Sequence, residues 1–374
     1  MLLARIGLQM VALVLVLVAL ERFHDPVVAG AATFLSIAPG LMVSPIAGAL
    51  LDRHGRTRLV IADYSLEAIA LGTIALLAAR DLLTAPLLLV IVAVSSLTNP
   101  LSSTGIRTLF PVLVPERLWE RANAIDSNGY VIASIVGPAA AGALVATAGT
   151  SSAMLVTAAV FALAALVTIG LRDPGETAKT SGLLRDAWAG VLYVARHPTL
   201  RALAVVVSTS NIGWGLTFLA LPVLVLTRLG QGADLVGLLF ALVGVAGSIS
   251  VLVAGRISSV GREGALMGAS MLGMGAAFLS LAIFPQPVVI VLAMLLVGVA
   301  NGPYDVVLFT LRQRRTDPSW LGRAFAVSMA LNYAGFPVGS AAGGVLVAQS
   351  VALAFVVAAA LEATAAFVTF RYVR

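Results

Sequence analysis

The chain has 374 residues, of which 60% are apolar and 11% charged, with a formal net charge of +6 and a mean hydropathy of +1.04. So little polar surface excludes an ordinary soluble globule and leaves an integral membrane protein. Cysteine is absent, which removes disulfides and thiolate metal sites; the high pI of 10.3 comes from basic residues dispersed over many loops, not from a nucleic-acid-binding stripe.

A helix needs about 20 apolar residues to cross a hydrocarbon core of about 30 Å. Charges, prolines and glycines divide the chain into twelve such runs, near 2–20, 28–51, 58–79, 85–109, 122–148, 151–171, 199–228, 233–256, 264–284, 287–311, 323–348 and 351–371. The runs are continuous and do not alternate every second residue, so helices are expected, not barrel strands. The first is short. After Arg5 only Ile6 to Leu20 remain, about 22 Å at 1.5 Å per residue, so either the true start lies upstream or the first helix is truncated. A cleaved signal peptide is disfavoured, because no small-residue cleavage site follows and removal would leave an odd number of helices.

Between the second and third runs lies a charged hairpin, Gly48-Ala-Leu-Leu-Asp52-Arg53-His54-Gly55-Arg56-Thr-Arg58. Asp52 stands at the C-terminal end of its helix, where the helix dipole disfavours a negative charge, so it calls for a cation. Arg56, Arg58, Arg107 or the N-terminus of another helix are the alternatives. The third run carries Asp63 and Glu67 one turn apart, and the fourth carries Asn99, Ser102, Ser103 and then Arg107. In the fifth, Asp126 is shallow and Gly137-Pro138-Ala-Ala-Ala-Gly142 follows. Small residues there permit close helix approach and Pro138 frees a backbone carbonyl.

The longest loop, 172–198, contains Leu183, Leu184, Trp188, Leu192 and Val194 at helical spacing. This fits an amphipathic helix on the membrane face, with Arg185 and Arg196 toward phosphates, or a linker helix packed under the bundle. The seventh run offers Asn211, Trp214 and Thr217; the tenth offers Asn301, Tyr304 and Asp305, with Arg312 two turns below; the twelfth carries Glu362. Ionisable groups at membrane depth are expensive and point to function. For Asp305 proton coupling and a structural pair with Arg312 are both open; for Glu67 and Glu362 a structural role is favoured. Asn99 and Asn301 either face a cavity or bond helix to helix. The histidines His24, His54 and His197 sit in or beside charged loops and read as solvated.

Basic residues are retained on the cytoplasmic side of membranes. With the N-terminus inside, 20 of the 23 basic residues fall inside, leaving Arg22, Arg80 and Arg228 out. Both termini are therefore expected in the cytoplasm. The halves also repeat. At an offset of 202, Asn99 meets Asn301, Arg121 meets Arg323, Gly137 meets Gly339 and Gly142 meets Gly344; at 207, Gly30, Gly40 and Gly48 meet Gly237, Gly247 and Gly255. The expected domains are a six-helix bundle over 1–171, a linker over 172–198 and a second six-helix bundle over 199–374.

Twelve spans in two repeated halves, a long middle loop and the hairpin together resemble the major facilitator superfamily over nearly the whole chain. Gly48, Leu50, Asp52, Arg53, Gly55 and Arg56 match the family's pattern between the second and third helices; the second copy keeps Gly255, Gly261 and Arg262 and has Ser258 and Ser259 where an acid would stand. Gly137, Pro138 and Gly142 resemble the antiporter motif of the superfamily, with Ala133 and Ala141 in place of two glycines, and the surrounding residues look most like the bacterial siderophore and drug exporter branch.

The resemblance implies two pseudo-symmetric bundles and alternating access, with the first, fourth, seventh and tenth helices lining a cavity. It makes the hairpin a conformational latch, Asp305, Arg107, Asp126 and Glu67 coupling candidates, and Asn99, Asn211, Trp214, Asn301 and Tyr304 cavity candidates. The expected activity is proton-coupled export of a small amphiphilic or hydrophobic solute from a monomer in a bacterial-type inner membrane. Import or facilitated diffusion, or a transport-inactive partner or sensor, are the alternatives. The expected partners are membrane lipid, solute and protons, without nucleic acid, cofactor or metal. The sequence has no nucleotide-binding loop or nucleophile constellation, so no enzymatic role is expected.

Overall fold

The computed structural model describes residues 2–105, 119–171, 183–317 and 320–373. Among these every regular element is helical. The helices are α1 (Leu2–Phe23), α2 (Pro26–Leu35), α3 (Ala38–His54), α4 (Arg56–Ala79), α5 (Ala85–Ser96), α6 (Trp119–Ile169), α7 (Leu183–Arg196), α8 (Pro198–Val223), α9 (Ala233–Ala254), α10 (Glu263–Ile283), α11 (Pro287–Arg315), α12 (Leu321–Gln349) and α13 (Val351–Tyr372). Ten stretches are long and apolar enough to cross a membrane. One of them, Asn128–Ile169, holds two passes, because Gly149 at φ 81° breaks α6, and α12 with its 29 residues makes the twelfth.

Three spans differ from expectation, the fourth by a turn at Leu97 and Thr98 that ends α5. Helix α1 runs for 22 residues and takes in Arg5, about 33 Å at 1.5 Å per residue, so it is long enough to span and the expected shortness is corrected. Arg5 is accommodated because its guanidinium lies 3.6 Å from the Tyr130 ring centre, where the ring face attracts the cation. The second span is two helices, since Pro39 near the start of α3 lacks the N–H that would continue α2 through Ser36 and Ile37.

The hairpin is as short as a helical turnaround can be. Gly55 alone separates α3 from α4, at φ 88° and ψ 133°, a conformation that glycine adopts without a Cβ penalty. That places Asp52 and Arg53 in the last turn of one helix and Arg56 first in the next.

The chain divides into two compact units. The first comprises Met1–His24, Ala31–Leu183 and Gly232–Leu238. Its core is α1 and α4 against α6, and the Arg22–Asp81 ion pair joins α1 to the turn after α4. Close approach rests on glycine: a Cβ on Gly137 would come 2.5 Å from the Gln9 Cβ, and one on Gly142 would come 2.9 Å from the Gly237 Cα.

The second unit comprises Asp25–Gly30, Leu184–Gln231 and Leu239–Arg374. Here α8 packs on α12 and α13, and α10 packs on α11 and α13. A Cβ on Gly30 would come 3.0 Å from the Gly344 Cα, so the Gly30–Gly344 crossing is the counterpart of Gly237–Gly142 under the two repeat offsets. Arg314 and Glu263 pair at 3.1 Å, where a carboxylate also suits the first turn of α10. Helix α7 is tied to this unit. Tyr193 stacks on Trp320 with ring centres 4.9 Å apart and accepts the Asp317 N–H at 3.0 Å, while Val194 is buried and Trp188 and Leu192 stay exposed.

Candidate functional site

A cavity of about 280 Å³ lies inside the second unit. Helix α8 contributes Ser210, Asn211 and Trp214, α11 contributes Asn301, Tyr304 and Asp305, α12 contributes Asn332 and Tyr333, and α13 contributes Glu362. Met274, Phe278, Leu308 and Met329 complete an apolar wall. This is the composition of a small-molecule site, mostly hydrophobic with a few directed polar groups.

Helix α11 sets the register of the polar wall. Asn301 and Asp305 are one turn apart and therefore on one face. The Asn301 Nδ2 donates to Asp305 Oδ2 at 3.3 Å, and Asp305 is half-buried. Pro303 sits inside this helix and removes one backbone donor beside the site. On α8 the Asn211 amide donates to the Val207 carbonyl at 3.0 Å, which leaves its carbonyl oxygen as the group to address a ligand. Trp214 meets Phe240 edge to face, with ring centres 6.2 Å apart. Deeper in α11, Arg312 is fully buried; it donates to the Met329 sulfur at 3.4 Å and, with the Asn332 amide turned to satisfy both neighbours, to Asn332 Oδ1 at 2.8 Å. Burial of a guanidinium at membrane depth requires such partners.

Five residues expected at a cavity or coupling site thus converge: Asn211, Trp214, Asn301, Tyr304 and Asp305. Glu362 was read as structural, yet it lies on the same wall, together with Ser210, Asn332 and Tyr333, which the sequence had not singled out. A lone carboxylate in a 22-residue apolar helix was the available signal. The other expected residues lie elsewhere. Asn99, in the first unit, donates to the Ser36 carbonyl at 3.4 Å, a bond from the fourth span to the second. Glu67 is buried on α4 beside Asp63 and the Ser95 hydroxyl. Asp126 falls in α6, and Arg107 lies outside the described residues.

Twelve apolar spans, with a mostly hydrophobic cavity inside the second unit, define a multi-pass membrane carrier. The chain belongs to the Major Facilitator Superfamily, which it matches over residues 1–259 and 203–374. It is 41% identical over 375 residues to the MFS-type transporter y4rN of Sinorhizobium fredii, covering 98% of this chain and 91% of that protein. It is 28% identical over 323 residues to the multidrug efflux pump Tap of Mycolicibacterium fortuitum, covering 82% and 78%. To the enterobactin exporter EntS of Escherichia coli O1:K1 / APEC it is 26% identical over 318 residues, covering 81% and 72%. Among solved structures, a bacterial homologue of the lysosomal transporter Spinster shares the fold at a TM-score of 0.79 and 12% identity, over 99% of this chain and 95% of that one. The protein is accordingly a membrane transporter that sits in lipid and moves a small molecule, and nothing about its family is enzymatic.

Proposed function

We propose that this transporter exports a small amphiphilic or hydrophobic solute, of the drug or siderophore kind, in exchange for protons. The cavity beside Asp305 is the observation that carries the reading. A carboxylate on the wall of a largely apolar pocket is a group that binds either a proton or a solute and moves neither freely. The efflux roles that Tap and EntS are named for support the outward direction. In this reading Asp305 couples, while Asn211, Trp214, Asn301 and Tyr304 hold the solute. The protein works as a monomer in a bacterial inner membrane with both termini in the cytoplasm, as the distribution of its basic residues favours. The bundles 1–171 and 199–374 alternate access, with 172–198 as the linker.

The test is transport in inverted membrane vesicles. An acidic lumen drives accumulation of ethidium, and collapsing the pH gradient abolishes it. Accumulation driven by an alkaline lumen instead would mean proton-coupled import, and indifference to the gradient would mean an uncoupled carrier.

The hairpin has a separate part. Asp52 falls in the last turn of α3, one residue before Arg53 and four before Arg56 at the start of α4, a position that suits a residue biasing one access state over the other. Asp52→Asn is expected to lower the initial efflux rate about tenfold, which corresponds to a bias of about 1.4 kcal/mol, with normal amounts in the membrane. Wild-type flux from normally inserted Asp52→Asn protein would remove the latch from the account.

A further inference from the structure

Glu362 is the strongest anomaly in the second unit. It is 1% exposed, near the middle of an apolar helix, and its Oε1 accepts from the Ser210 hydroxyl at 2.7 Å. Its other oxygen, Oε2, has no hydrogen-bond partner among the described residues. A carboxylate left half-satisfied in a low-dielectric interior is costly unless a cation or proton completes it. The side chain lines the same cavity as Asp305, with Tyr304 placed to feel both carboxylates and its hydroxyl within reach of Ser210.

The charges that face this space are few. Helix α11 supplies Asp305 and Tyr304, with Arg312 buried deeper in the same helix and outside the lining; α8 supplies the neutral Ser210 and Asn211, α12 supplies Asn332 and Tyr333, and α10 supplies only apolar groups and glycine, with Gly275 against the Glu362 Cβ. Two carboxylates against one guanidinium leave a single uncompensated negative charge when both acids are ionised. One proton or one monovalent cation neutralises it. The rest of the lining decides between a mineral ion and an organic one: Trp214, Tyr304, Tyr333 and Phe278 contribute aromatic rings, and Met274 and Met329 contribute polarisable sulfur. Such walls attract an organic ammonium by its charge and by its carbon shell alike, whereas the carbon and sulfur that make up most of the lining give a hard metal ion nothing to coordinate. The volume, just below the usual range of ligand pockets, limits the occupant to a small molecule.

We propose that the cavity of the second unit is a binding site for a monovalent organic ammonium ion, with Glu362 as its principal anion and Asp305 as the second. This rests on the export reading and sharpens it, because one ammonium and one proton then compete for the same single charge. The exchange follows as one for one and moves no net charge.

The experiment measures equilibrium binding to the purified full chain in lipid nanodiscs, as stabilisation against heat. The probes are benzyltrimethylammonium and its uncharged carbon isostere, neopentylbenzene. At pH 8 the ammonium is expected to stabilise the wild-type protein at concentrations where the isostere does not. Glu362→Gln is expected to weaken the ammonium at least tenfold, Glu362→Asp to retain it within about threefold, and lower pH to weaken it in the wild type. Equal binding of the two probes, binding of neither, or unchanged affinity in Glu362→Gln overturns the proposal; the probe comparison needs no variant and so stands even where Glu362→Gln fails to fold. Absence of ammonium binding alongside gradient-driven ethidium efflux would refute this site alone. Glu362-dependent binding without gradient-driven flux would refute the export reading instead.

Discussion

Asp305→Asn is expected to reduce gradient-driven ethidium accumulation in inverted vesicles about a hundredfold, to a residual flux that no longer responds to the imposed pH difference. A hundredfold loss corresponds to about 2.7 kcal/mol at 1.36 kcal/mol per decade, well within what a charged hydrogen-bonding group contributes in a water-poor site. Charge is what the substitution removes. Asparagine matches aspartate in shape and still meets Asn301 one turn away, so packing of α11 is preserved. What it lacks is the ability to take up and release a proton. With Asp305 neutral, Glu362 on the lining and Arg312 buried deeper in α11 are one charge of each sign, and nothing in the cavity requires a proton in exchange for solute. Membrane levels and thermal stability of the variant are expected to stay near wild type, and a pH-responsive flux from Asp305→Asn would transfer the coupling role to another group.

The second large effect concerns the interface that holds the site's α8 wall. Gly335, Gly339 and Gly343 recur every fourth residue on α12 and therefore form one stripe. That stripe lies against the backbone of α8: a Cβ on Gly339 would come 2.8 Å from the Ile212 Cα, and one on Gly343 would come 3.3 Å from the Leu216 Cα. Small residues at such spacing are how membrane helices approach closely enough for dispersion to hold them. Backbone has no rotamer with which to move aside, so Gly339→Val must push α12 and α8 apart. The expected cost is about 3 kcal/mol or more, above the usual range for overpacking against side chains, seen as a several-fold drop in folded protein and loss of solute binding. Gly72 gives the contrast, since a Cβ there meets nothing within 4 Å. Gly72→Ala in the interior of α4 is expected to be neutral or to stabilise by about 0.5–1 kcal/mol. Similar thermal stability for the two variants would contradict the packing argument.

The legible and illegible parts of this protein divide along one physical line. Span number and order follow from apolar run length, because the bilayer imposes a thickness that composition must meet; the runs predicted at 233–256 and 351–371 are the helices Ala233–Ala254 and Val351–Tyr372. The charged hairpin between the second and third runs was readable too; that its turn falls on Gly55, at dihedral angles that suit glycine, came from the structure. Helix rotation was not. A span that is apolar on every side carries little amphipathic signal to say which side faces a neighbour and which a cavity. Glu362 was visible as a carboxylate in an apolar helix, yet nothing in its own span revealed that it faces Ser210 on α8, 152 positions earlier. Asn99 and Asn301 are equivalent by repeat, but one bonds a neighbouring helix and the other bonds the residue one turn along. Arg5 looked like the end of a short helix until Tyr130, distant in sequence, supplied the ring that accommodates it.

The exchange of solute against protons through the Asp305 cavity is tested most directly by internal pH in proteoliposomes prepared with no gradient of any kind. On addition of ethidium outside, the lumen is expected to become alkaline as ethidium enters wild-type vesicles, and to hold its pH in vesicles bearing Asp305→Asn. Ethidium entry into wild-type vesicles without a change in internal pH, or with acidification, would contradict the account.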